Sequence, residues 1–215
     1  MQDIVEVTGM IIQNIPVKDY DRRITILTRE NGKIGAFVRG ARRQNNRFLG
    51  IRQFCYGHFE LYQGRDSYTL KNAQILNYFE EIVTDIENTC YGMYFFELAN
   101  YYAREALIDP EMDKLLYVAL VALTKPAIPK ELVRRVFELR IMAIHGEYDP
   151  KPVGNVSDGC RYAWNFILTT PIEKLYRFTL KSEVFEELAG AVDQSMHRFI
   201  DRKMNSLEIL RGIRP

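Results

Sequence analysis

The chain has 215 residues, 47% hydrophobic and 27% charged, with a formal net charge of +1, a balance that allows one large domain or two small ones around a buried core. Its three cysteines, Cys55, Cys90 and Cys160, are odd in number and lack CxxC spacing, which argues against a disulfide framework and for a reducing compartment. There is no 18-residue apolar run, and the opening MQDIVEVTGMIIQNIPV has no basic region before its apolar stretch, so a soluble cytoplasmic protein is expected.

From Ile4 to Ile75 the pattern is strand-like. IVEVTGMII leads to RRITILT, the turn Asn31-Gly32 and KIGAFVRG, with β-branched residues alternating around a tight-turn dipeptide. CYGHFELYQ, the turn Gly64-Arg65-Asp66 and SYTLKNAQIL complete about five strands. After Tyr78 the period becomes helical over IENTCYGMYFFELANYYAREAL, PEMDKLLYVALVAL and PKELVRRVFELRIMAIHGE. Pro110 and Pro129 mark two starts and Gly146 a stop; DPKPVGNVSDG, 149–159, reads as a loop. TPIEKLYRF and SEVFEELAGAVDQSMHRFIDRKMNSLEIL then return to helix. The reading is α+β: an N-terminal OB-fold β-barrel over 1–79, then an all-helical domain over 80–215 with a central loop at about 146–160. An SH3-like or split barrel would give nearly the same string.

Charge follows the same boundary. Residues 1–79 hold 12 Lys and Arg against 7 Asp and Glu, and the remainder 17 against 21. Between Glu30 and Glu60 there is no acid, while Lys33, Arg39, Arg42, Arg43, Arg47 and Arg52 fall there. A field of one sign on a small domain attracts polyanions even when the whole molecule is near neutral. Tyr56, Phe59, Tyr62 and Tyr68 are either stacking platforms on the barrel or part of its core.

The run DRRITILTRENGKIGAFVRGARRQNNRFLG resembles the N-terminal domain of the bacterial RecO family of recombination mediators. The correspondence falls on Asp21, Arg22, Thr25, Thr28, Arg29, Glu30, Gly32, Lys33, Gly40, Ala41, Arg42, Arg43, Arg47 and Gly50. It departs at Arg39, where Lys is usual, and at Asn46, where Ser is. FELRIMAIHGE (137–147) and FIDRKMNSLEIL (199–210), with its Ser206-Leu207 pair, resemble the helix before the family's central loop and its closing helix. The resemblance implies an OB-fold joined to a helical domain that binds single- and double-stranded DNA and anneals complementary strands. It also implies association with RecR and help in loading RecA where single-stranded-DNA-binding protein coats the strand.

On this reading Arg22, Lys33, Arg39, Arg42, Arg43, Arg47 and Arg52 contact DNA phosphates. Gly35 and Gly40 leave room for backbone near the ligand, and Gln44, Asn45 and Asn46 add neutral hydrogen-bond partners. Arg198, Arg202 and Lys203 are further DNA or partner contacts. With part of the apolar surface around Tyr94, Phe95, Leu98, Tyr101 and Tyr102, they are expected to accept an acidic, hydrophobic-tipped peptide such as the tail of single-stranded-DNA-binding protein.

Many RecO-like proteins place four cysteines in the central loop to hold zinc; this chain has Cys160 alone, so no metal and no other cofactor is expected. Packing of Tyr148, Tyr162, Trp164 and Phe166 is expected to take the place of that staple. With no Walker loop, HExxH or nucleophile elbow, no catalysis is expected either. Two other classes of binder fit the same residues: an OB-fold RNA-binding or translation-associated protein, and an adaptor whose basic loop meets an acidic protein surface.

Overall fold

Every second residue of Gly32–Val38 is buried, and the same alternation, set by the two-residue period of a strand, runs through much of the N-terminal third. In the computed structural model, which describes residues 3–44, 46–65 and 67–213 (the side chains of Arg211 and Ile213 excepted), this third forms five strands. They are β1 (Ile4–Val17), β2 (Asp21–Thr28), β3 (Gly32–Val38), β4 (Tyr56–Gln63) and β5 (Tyr68–Asn77). They close into a barrel in the order β1-β2-β3-β5-β4. All pairings are antiparallel except the seam between β3 and β5, where Ala36 and Phe37 face Tyr68 and Thr69 in parallel. This is an OB-type barrel, and its interior is filled by Val7, Ile11, Ile24, Ile26, Phe59 and Leu61.

The chain divides into two compact units. One holds the residues up to Val83 together with Asn100–Asp113, and the other Thr84–Ala99 together with the residues from Lys114 onward. The helices are α1 (Glu80–Val83), α2 (Ile86–Tyr102), α3 (Pro110–Leu123), α4 (Lys130–Ile144), α5 (Asp158–Thr169), α6 (Ser182–Phe199) and α7 (Asn205–Ile213). In the helical unit Tyr91, Tyr94, Phe95 and Leu98 of α2 are fully buried, with Phe95 stacked on Phe137 at 4.3 Å between ring centres. The apolar surface expected to be free for a partner is therefore already core: only Tyr101 of that group is more than slightly exposed.

Three stretches that read as helix are not. Residues 103–107 leave the helix because Arg104 turns its guanidinium onto the carbonyls of Tyr101, Tyr102 and Ala103, and Ala106 takes φ 58°. TPIEKLYRF keeps only a single 3-10 turn, Ile172–Lys174. The long closing run breaks at Ile200, whose backbone is extended, and restarts at Asn205. There the Glu97 carboxylate accepts hydrogen bonds from the Ser206 amide at 3.2 Å and its hydroxyl at 2.8 Å, an anion fixed at a helix N-terminus.

Residues 103–109 form a strap against the β2–β3 hairpin. The Lys33 amide donates to the Arg104 carbonyl at 3.1 Å, Gly32 and Glu105 form a β-bridge, and a Cβ on Gly32 would lie 2.3 Å from the Leu107 carbonyl oxygen. Gly32 is therefore required by close approach as well as by its φ of +62°.

At the end of the strap segment the buried Asp113 carboxylate accepts from Arg29 Nε at 2.7 Å. Burial outweighs the attraction of Arg29 and lifts Asp113 from its ordinary 3.8 to about 6. The folded chain then holds a proton that the unfolded chain has lost, so stability falls as pH rises from about 4 to 6. The fall is on the order of 2–3 kcal/mol at about 1.36 kcal/mol per unit. Asp113→Asn should flatten that slope, as read from urea midpoints at several pH values; an unaltered slope would contradict the assignment.

Candidate nucleic-acid interface

The stretch 39–55 between β3 and β4 is the basic loop, and it is anchored rather than loose. Val38, Ala41, Phe48, Ile51 and Cys55 are buried in the barrel core, while Arg39, Arg42, Arg43 and Arg47 between them are exposed. Local bonds fix the path. The Asp21 carboxylate accepts from the Gly40 amide at 2.7 Å, the Tyr20 carbonyl accepts from the Arg42 amide at 2.9 Å, and Gly40 has φ +63°. Asn46 spans the loop, its amide donating to the Gly40 carbonyl and its oxygen accepting from the Phe48 amide, both at 2.7 Å. Asn46 thus shapes the loop instead of facing a ligand, and Gly40 serves the turn. Asn45 and Asp66 lie outside the described residues.

Among the described residues, none of the four loop arginines joins an ion pair. Arg43 lies 5.2 Å from the Tyr20 ring centre, and Arg47 lies 4.7 Å from that of Phe48 while donating to the Lys71 carbonyl of β5. The aromatic and backbone contacts orient these guanidinium groups without neutralising them, which leaves their charge for an anion.

The remaining expected contacts are placed differently. Arg52 is paired with Glu80 at 2.7 Å, and Arg22 is half-buried with Nη1 3.5 Å from the Ile51 carbonyl. Lys33 stands at the other end of β3, about 20 Å from Arg39 at ~3.3 Å per residue, with Nζ 3.2 Å from Asn100 Oδ1. Of the barrel aromatics, Tyr56 and Phe59 are buried, whereas Tyr62 and Tyr68 are partly exposed.

Lys33 belongs to a second basic feature, a groove of about 690 Å³ along β3 lined by Arg23, Lys33, Gly35, Arg65 and Tyr68 and flanked by the strap. A Cβ on Gly35 would lie 3.2 Å from the Arg23 guanidinium, so its absence lets Arg23 rest across the strand. Arg23 and Arg65 did not stand out in the sequence. The alternation of β2 was the available signal: it buries Ile24 and Ile26 and turns Arg23 outward.

In the helical unit Arg202, Lys203, Met196, Ile200, Met204 and Leu207 line a cleft of about 210 Å³ between α6 and α7. Lys203 is paired with Glu208 at 2.6 Å, and Arg198 with Asp149 at 2.8 Å. Under the cleft Glu138, fully buried, accepts from Arg134 at 2.7 Å, Arg135 at 3.0 Å and the Tyr94 hydroxyl at 2.6 Å. Burial and the adjacent Glu138 raise the Tyr94 hydroxyl well above its ordinary value.

Of the four aromatics expected to hold the central loop, Trp164 does so directly, together with polar contacts. Trp164 is buried and donates to the Asp149 carbonyl at 3.0 Å, and Ser157 caps α5 while donating its amide to Glu187 at 3.0 Å. Phe166 is partly buried against Phe178 at 4.9 Å, but Tyr148 and Tyr162 are exposed, at 40% and 74%. Among the described residues no group of three or more His, Cys, Asp or Glu side chains could hold a metal ion, and burial raises the Cys160 thiol away from the thiolate that zinc requires. No helix among them is long and apolar enough to cross a membrane.

Residues 1–79 match the family described as Recombination protein O N terminal. The whole chain is similar to proteins named DNA repair protein RecO. That of Clostridium perfringens (strain 13) is 27% identical over 98% of this chain and 99% of its own length. That of Clostridium novyi (strain NT) is 24% identical over 98% and 95%. The protein of Acetivibrio thermocellus is 23% identical over 97% of both chains.

Proposed function

We propose that the chain acts in DNA repair and recombination as a RecO-type protein, whose barrel binds single- and double-stranded DNA and brings complementary strands together. The match of residues 1–79 to the RecO N-terminal family and the full-length similarity to proteins named DNA repair protein RecO support this reading. The observation that carries this reading is the anchored loop, whose four arginines are held outward by buried neighbours and paired with no acid among the described residues. Guanidinium groups pair with phosphate oxygens on any sequence and release condensed counterions, which gives affinity without base reading. Annealing needs that combination: complementary strands of any sequence must be gathered, and their base edges left free to select each other. The groove along β3 adds Arg23, Arg65 and the half-exposed Tyr68, a charged track beside an aromatic face of the kind on which unpaired bases stack.

The helical unit supplies the partner surface. The cleft between α6 and α7 joins Arg202 and Lys203 to Met196, Ile200, Met204 and Leu207, a pattern suited to an acidic peptide with an apolar tip such as the tail of single-stranded-DNA-binding protein. Association with a RecR-like protein and assistance to RecA complete the proposed role in recombination. An annealing assay with complementary oligonucleotides, one arm containing single-stranded-DNA-binding protein and a RecR-like partner, tests the reading. The expected result is duplex formation faster than the spontaneous rate in the presence of the chain. No acceleration, or binding of RNA in strong preference to DNA, would overturn it.

A further inference from the structure

The groove along β3 is asymmetric in charge. Its barrel residues Arg23, Lys33 and Arg65 are cationic, whereas the strap brings to it the carboxylate of Glu105 and the apolar side chains of Ala106 and Ile108, the last 61% exposed. The other acid lining it among the described residues, Glu30, is occupied in accepting from the Thr8 amide at 2.8 Å. The backbone of the strap is held in place at Glu105. That residue is bridged to Gly32, its neighbour Arg104 accepts from the Lys33 amide at 3.1 Å, and Ala106 is held at φ 58°. A left-handed non-glycine residue costs free energy and persists only where its surroundings over-determine it. Nothing in the packing calls for an acid at 105, because the side chain is exposed and the bridge is made by backbone alone.

Charge and shape together separate two kinds of DNA. A single strand can turn its phosphates to the arginines and lay unpaired bases against Tyr68, Ala106 and Ile108. A duplex has no free base faces for those apolar positions and carries a second phosphate strand, whose charges approach the Glu105 carboxylate. We propose that Glu105 is a specificity-determining residue, a negative rim by which the groove prefers an unpaired strand to a duplex. This rests on the reading that the barrel binds DNA.

The test uses the full chain, with one oligonucleotide offered alone and as its duplex, and affinities read by fluorescence anisotropy at low and moderate salt. Glu105→Gln should tighten duplex binding about threefold to tenfold, the scale of relieving a single like-charge repulsion at a surface, and single-strand binding by less than about twofold. Glu105→Asp, which keeps the charge, should keep most of the preference. Equal changes for both ligands, or none, would overturn the proposal. Arg23→Ala and Arg65→Ala separate the two levels. If neither weakens binding while Arg42→Ala with Arg43→Ala does, the groove is not a strand site and the proposal falls with the function intact. If the unaltered chain binds no DNA, the reading of the barrel as a DNA-binding unit fails as well.

Discussion

Replacing Arg42 and Arg43 together with Ala should weaken single-strand binding by about tenfold near physiological salt and flatten the plot of log affinity against log salt by ~0.7 for each phosphate no longer neutralised. The loss should be nearly the same for three unrelated sequences, because phosphates are common to all of them. Both side chains are exposed, and the backbone around them is held by Asp21, Tyr20 and Asn46 rather than by the guanidinium groups. Stability should therefore change by no more than about 0.5 kcal/mol. A sequence-dependent loss would mean that the arginines read base edges, and an unaltered slope would remove them from binding.

The largest effect on folding is expected in the helical unit at Glu138. Its carboxylate is fully buried and faces Arg134 and Arg135, whose side chains are 13% and 9% exposed, together with the Tyr94 hydroxyl. Glu138→Ala leaves two desolvated cations short of a counter-charge, and breaking one side of a buried ionic network costs about 3–5 kcal/mol. In a chain of this size that corresponds to a fall of roughly 10 °C in Tm. Asp193, which accepts from Arg135 at 2.5 and 2.9 Å, and Glu131, 3.5 Å from Arg134, soften the loss but are both more exposed than Glu138. Glu138→Gln keeps an acceptor for Tyr94 and should lose less than Glu138→Ala. Equal Tm values for Glu138→Ala and the unaltered chain would show that the network contributes nothing net.

What could be read from the sequence follows from the range of the interactions involved. The five strands declare themselves because alternation and the Asn31-Gly32 turn are local signals, and the arginine stretch stands out for its lack of acids. The groove does not, because Arg23, Arg65 and Ile108 meet only after β3 and β5 close the barrel and the strap folds back. Residues 103–107, Ala-Arg-Glu-Ala-Leu, all favour helix in isolation. Their fate is decided by the close approach of Gly32, about seventy positions upstream, and by the Arg104 guanidinium, which caps the carbonyls at the end of α2 once the chain has turned. The break at Ile200 is similar: the N-terminus of α7 is set by Glu97, more than a hundred positions upstream. In the loop, Asn46 has the composition of a ligand contact and the geometry of a brace, a distinction that only the bonds to Gly40 and Phe48 reveal.

On the proposed reading one barrel carries the strand on its arginine loop and on the groove along β3. Photocrosslinking of a bromouracil-substituted single strand to the intact chain, with the adducts mapped by peptide mass spectrometry, tests it most directly. Adducts are expected within 37–48 and at Tyr68, suppressed by competing unlabelled strand and by high salt. Adducts confined to the helices from Lys114 onward, with none on the barrel, would contradict it.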